Sequence, residues 1–92
     1  MIRSFKHGGL EKFFLTGSKA GIQPAHAAKL NRLLTALNIA KRAETMNVEG
    51  WEFHSLKGAL SGHFAVKVNG NWRLTFRFVG TDAEAVDYQD YH

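Results

Sequence analysis

The sequence predicts an α+β fold of order β-α-α-β-β-β-β, and two opposed hydrophobic periods predict it. Leu30, Leu33, Leu34 and Leu37 recur at i, i+3, i+4 and i+7, the stripe of a helix that buries one face. From Trp51 onward the period falls to two, as in Phe64/Val66/Val68 and Trp72/Leu74/Phe76/Phe78, which is the pattern of half-buried strands. A chain of 92 residues supports one compact core, so residues 1–92 are read as a single domain.

Each element follows from local chemistry. Met1–Lys6 reads as a short strand, with Ile2 on one side and Arg3 and Phe5 on the other. Gly8-Gly9 opens a first helix carried by Leu10, Phe13 and Phe14, with Gly17 as its left-handed cap and 18–21 as a loop. Pro24 suits the first turn of the second helix, where a missing N–H costs nothing. Lys29, Arg32 and Thr35 fall outside the leucine stripe and give that helix a basic outer face, and residues 43–46 add a helical turn. Trp51/Phe53 alternating with Glu52/His54 predicts a strand. In the next hairpin, a two-residue loop would set Val66 beside Arg73. A three-residue loop, Asn69-Gly70-Asn71, instead pairs Val68 with Trp72, Val66 with Leu74 and Phe64 with Phe76. The hydrophobic pattern selects the longer loop, because a one-residue slip turns a whole face over. Lys67 then lies beside Arg73 on the opposite face. Gly80-Thr81-Asp82 makes the last turn, and 83–91 is the final strand.

Charge and composition narrow the function. The chain has no cysteine, which excludes disulfide and Cys–zinc frameworks and fits a cytoplasmic location. No apolar run approaches the roughly 18–20 residues that cross a bilayer, so no membrane partner is expected. The net charge is +4. It divides unevenly: residues 1–42 carry eight Lys and Arg against Glu11, a balance of +7, while residues 43–92 carry four against seven carboxylates, a balance of −3. Such a basic half points to a polyanionic partner.

Two clusters hold residues that do chemistry: 53–58, with His54 and Lys57 at a strand end, and 88–92, with Asp90, Tyr91 and His92. Arg73 lies between them in sequence, facing away from the apolar side of its strand. Metal-free RNA cleavage needs a base for the 2′-OH, an acid for the departing 5′-oxygen and fixed cations for the phosphorane. Histidine can take either proton role near neutral pH. Tyrosine can donate a proton, Arg73 and Lys57 can hold phosphate oxygens, and Asp90 can orient a neighbour. Arg73 has a purely structural alternative, an ion pair with Glu52 or Asp87. His54, His63, His92 and Asp90 form no metal-binding spacing such as HExxH, and neither a metal nor another cofactor is expected. From the residues alone, the reading is a basic α+β domain inclined to bind RNA.

The chain also resembles the HigB toxins, a branch of the RelE-type toxins of bacterial toxin–antitoxin systems. The likeness covers nearly the whole chain. It begins with Ile2-Arg3-Ser4-Phe5, continues through Leu56-Lys57-Gly58 and the stretch from Val68 to Phe76 with its Asn-x-x-Trp-Arg block, and finishes on Asp87-Tyr88-Gln89-Asp90-Tyr91-His92. His63-Phe64-Ala65 departs from the family's aromatic-then-Ser pattern. The resemblance implies a small RelE-like fold and a ribosome-dependent endoribonuclease that cuts mRNA in the A site. It implies catalytic roles for His54, Lys57, Arg73, Asp90, Tyr91 and His92. By that likeness His92 or His54 is the base, Tyr91 is also able to transfer a proton, Lys57 and Arg73 stabilise phosphate charge, and Asp90 supports the site. The implied partners are the ribosome with its mRNA and a HigA-type helix-turn-helix antitoxin, through which alone operator DNA is contacted. A ParE-like toxin directed at gyrase, which does not require the His54/Lys57/Arg73/His92 set, and a non-enzymatic nucleic-acid-binding module with a basic face are the rival readings.

Overall fold

The computed structural model describes residues 1–91. Two helices lie on one face of a four-stranded antiparallel sheet, in the α+β arrangement the sequence predicts. Helix α1 spans Gly8–Thr16 and α2 spans Ala27–Ile39; the strands are β1 (His54–Ser55), β2 (Phe64–Asn69), β3 (Trp72–Val79) and β4 (Asp82–Asp90), in spatial order β1-β2-β3-β4. Single 3-10 turns occupy Pro24–His26, Ala43–Met46 and Gly58–Leu60.

The helices start and stop for identifiable reasons. His7 caps α1, its Nδ1 accepting the Leu10 N–H at 2.9 Å, and Gly17 ends it with φ 80° while donating to the Phe13 carbonyl. Pro24 opens the 3-10 turn that leads into α2. The backbones of α1 and the loop before α2 touch at two glycines: a Cβ on Gly9 would come within 2.5 Å of the Gly21 carbonyl oxygen. Leu10, Leu30, Leu33, Leu34 and Leu37 are fully or almost fully buried against Val66, Leu74, Phe76 and Val86 of the sheet. That contact between a leucine stripe and the apolar sheet face is the core.

The β2–β3 register pairs Phe64 with Phe76, Val66 with Leu74 and Lys67 with Arg73, as the alternation requires. The turn itself differs. Asn69, not Val68, is opposite Trp72, and a bulge between Lys67 and Asn69 takes up the extra residue. The connection is therefore a two-residue Gly70-Asn71 turn plus a bulge, which serves both the tight turn and the burial of Val68 (6% exposed). The last hairpin likewise turns on Gly80-Thr81, with Val79 opposite Asp82.

Two predicted strands are shortened. Residues 1–6 run parallel to β4 but form only two bridges, Ile2 with Ala83 and Phe5 with Val86. Between those bridges β4 bulges at Ala85 (φ 54°), and the Ala85 N–H turns to the Ser4 hydroxyl instead of a backbone carbonyl. The strand expected from Trp51 reduces to His54–Ser55 because Glu52 has φ 50°, which breaks the pleat. A non-glycine residue in that region costs about 1–2 kcal/mol, so the surrounding contacts must hold it there.

Candidate functional site

Antiparallel partners share a sheet face, and successive residues alternate between faces. One face meets the helices; the other is open. His54, Ala65, Thr75 and Asp87 make one row across the open face, and Lys67, Arg73 and Gln89 make the next. Ala65 and Thr75 are the small residues at the middle of this face, and with exposures of 0% and 1% they are covered by the larger side chains around them. His54 and Arg73 are thus on the same face, two strands apart, a span of roughly 10 Å across the sheet.

Arg73 is half-buried, and its Nη1 donates to the Gly70 carbonyl at 2.7 Å and the Trp72 carbonyl at 3.0 Å. Neither ion pair considered for it forms: Glu52 pairs with Lys67 at 3.1 Å, and the Asp87 carboxylate accepts from the Tyr88 N–H and the Gln89 amide. Both acids are taken up by nearer donors. The guanidinium is therefore folded along the β2–β3 turn, on the rim of the sheet.

The same rim receives the end of β4. Asp90 is opposite Trp72, and the Tyr91 N–H donates to the Asn71 carbonyl at 2.8 Å. The structure thus brings Arg73, Asp90 and Tyr91 to one turn, although alternation puts Asp90 on the face of Trp72 and Tyr88 rather than that of Arg73. His92 lies outside the described residues. His54 stands on the far strand, exposed, its Nδ1 2.9 Å from the Glu52 carbonyl. Lys57 is also exposed and follows β1 at the entry to the Gly58–Leu60 turn. No hydrogen bond or ion pair joins His54 or Lys57 to Arg73 or Tyr91 among the described residues. The five expected residues that are described divide into a rim group, Arg73, Asp90 and Tyr91, and an edge group, His54 and Lys57, separated by Ala65 and Thr75.

Under the rim is an aromatic cluster that sequence reasoning left out of the site. The Tyr88 ring stacks on Trp72 with centroids 4.4 Å apart, and its hydroxyl is 2.6 Å from Nδ1 of the buried His26. Burial first, and then the Asp90 carboxylate, push the Tyr88 hydroxyl above its ordinary pKa. It therefore stays a neutral donor. The helical 3.6 period around His26 and the strand position of Tyr88 carry no signal that the two meet.

A second omission is the cationic group at the other edge. Lys29 is half-buried with its Nζ 5.5 Å from the centre of the Trp51 ring, and desolvation, then the charges of Arg32 and Lys67, lower its pKa. Among the described residues, no three His, Asp or Glu side chains gather as a metal-binding group, and no helix is long and apolar enough to cross a membrane.

Comparison with known proteins covers nearly the whole chain. Residues 3–92 match the family described as the RelE-like toxin of the type II toxin–antitoxin system HigB. The chain is also 37% identical over 92 residues to a protein of Proteus vulgaris named Endoribonuclease HigB, covering all of both chains. On a match that spans residues 3–92 and a full-length relative at 37% identity, the chain belongs to the HigB-like toxin family, whose members act in type II toxin–antitoxin pairs.

Proposed function

We propose that this protein is the toxin of a type II toxin–antitoxin system and acts as a ribosome-dependent endoribonuclease that cuts mRNA in the A site, inhibiting translation and growth. The observation that carries this reading is the full-length, 37% identity to a relative named as an endoribonuclease. Residues 1–92 act as one domain, in the cytoplasm. The partner is a HigA-type antitoxin, and the toxin meets operator DNA only through it.

The chemistry proposed is acid–base attack without a metal. A base removes the 2′-OH proton, the 2′-oxygen attacks the adjacent phosphorus, and an acid protonates the leaving 5′-oxygen. His92 and His54 are the candidates for the base, and Tyr91 also has a proton to transfer. Arg73 and Lys57 stabilise the phosphorane charge, Arg73 through a guanidinium already aligned by two carbonyls. Asp90 supports the rim.

Purified protein added to ribosomes programmed with a defined mRNA should cut within the A-site codon. Arg73→Ala and His92→Ala should each lower the cleavage rate by about 10²-fold or more, with melting temperature checked alongside. Intact mRNA under active translation would reject the nuclease reading, and normal cleavage by both variants would reject the site.

A further inference from the structure

His54 sits beside the point where the chain departs from regular strand geometry. Glu52, two residues earlier, has φ 50°, a conformation that a residue with a Cβ keeps only where its surroundings hold it. Two contacts hold it, and both come from Lys67. The Lys67 N–H donates to the Trp51 carbonyl at 2.7 Å, and the Lys67 Nζ lies 3.1 Å from the Glu52 carboxylate. The first fixes the residue before Glu52; the second fixes its side chain. An exposed ion pair of this kind adds little to stability, so its consequence is geometric. The turned backbone brings the Glu52 carbonyl to 2.9 Å from His54 Nδ1.

We propose that Glu52 and Lys67 form a positioning device for His54, holding its neutral imidazole in the Nδ1–H tautomer and leaving Nε2 as the proton-accepting nitrogen on the open face of the sheet. A carbonyl oxygen only accepts, so the nitrogen facing it carries the hydrogen. A neutral imidazole has a single N–H, so the other nitrogen presents a lone pair. Nε2 has no hydrogen-bond partner among the described residues, and His54 is exposed. Lys67 is the next open-face residue of β2 after Ala65, the residue opposite His54, so the clamp and the imidazole sit on one face. Glu52 and Lys67 are positioning residues: they act through the imidazole and not on RNA. The catalytic consequence rests on the nuclease reading, whereas the tautomer does not.

The test is nitrogen-15 NMR of the His54 imidazole in the full chain, at a pH where the ring is neutral, with cleavage of ribosome-bound mRNA measured in parallel. The unmodified protein should show protonated Nδ1 and bare Nε2. Lys67→Met should move the ring toward the Nε2–H form and slow cleavage about tenfold, well short of the roughly 10²–10⁴-fold that an acid–base group contributes. Lys67→Arg, which keeps the ion pair, should restore both. An Nε2–H ring in the unmodified protein, or an unchanged tautomer in Lys67→Met, would overturn the inference even if cleavage falls. A protein with the Nδ1–H ring that cuts no RNA would instead reject the nuclease reading and leave the clamp standing.

Discussion

Tyr88 joins more of the molecule than any other side chain near the rim. Its hydroxyl accepts the Gln23 backbone N–H at 3.4 Å and is left to donate to His26 Nδ1, so it ties β4 to the start of α2. Its ring covers Trp72 on β3 and meets the His7 ring, the N-cap of α1, at 5.4 Å. Replacing Tyr88 with Phe keeps the stacking and removes only the hydroxyl. The buried His26 nitrogen then loses its partner, which costs about 1–3 kcal/mol. Thermal unfolding should show the melting temperature of Tyr88→Phe lowered by about 4–8 °C for each kcal/mol lost. An unchanged melting temperature would mean that the His26–Tyr88 bond contributes no net stability. Neither residue announced this role. His26 reads as a helix-start residue and Tyr88 as one member of a terminal aromatic cluster, and 62 positions separate them. Hydrophobic period reveals which face a residue occupies, but not which polar atoms meet across a core.

The elements show where pattern suffices and where backbone detail intervenes. Alternation placed Lys67 beside Arg73, and Val66 opposite Leu74, because a slip would have buried charge. It missed the bulge at Val68 and the turned backbone at Glu52, since either strand reads the same whether or not one residue is extruded. The segment 1–6 is the extreme case: it has strand-like alternation but only two bridges to β4. Backbone hydrogen bonds close both bridges, and at its start Arg3 Nε also donates to Asp82 at 2.9 Å, with the Met1 amine 3.4 Å from the same carboxylate. The Arg3 hydrogen bond is the main reason that the Asp82 carboxyl titrates below its usual range. A carboxylate whose folded pKa is depressed stabilises the fold above its unfolded value and loses that contribution as pH falls through the folded one. The attachment should therefore be complete at neutral pH and weaken only below about pH 4. Amide exchange at Arg3 and Ala83, whose N–H groups close the first bridge, should accelerate in that range in the unmodified protein. In Asp82→Asn the exchange should be faster already at neutral pH and lose that acid dependence. Equal exchange in the two proteins would assign the attachment to Ile2 and Phe5 packing instead.

The uneven charge has a structural meaning once the layers are in place. Residues 1–42, with their +7 balance, comprise both helices and the segment along β4, and the four-stranded sheet is built from the half that carries −3. In the sheet half, two of the four cations meet carboxylates: Lys67 with Glu52 and Arg77 with Glu84. Within residues 1–42, Lys6, Lys12, Lys19, Arg32, Lys41 and Arg42 are all exposed. The solvent-facing side of the sheet instead presents separate cations among acids. Under the proposed function, the helical layer supplies affinity for the ribosome and the sheet supplies the reaction. Sedimentation binding to ribosomes should then weaken linearly in log–log terms as salt rises. The slope should fall by about 0.7–0.9 for each phosphate contact removed. Lys12→Ala with Lys41→Ala should reduce both the affinity and the slope, because both side chains are exposed on the helical side of the chain. Arg77→Ala removes a cation already engaged by Glu84 and should leave the slope nearly unaltered. If the Arg77 variant changes the slope and the lysine pair does not, the ribosome is approached by the sheet, and the +7 half faces solvent or the antitoxin.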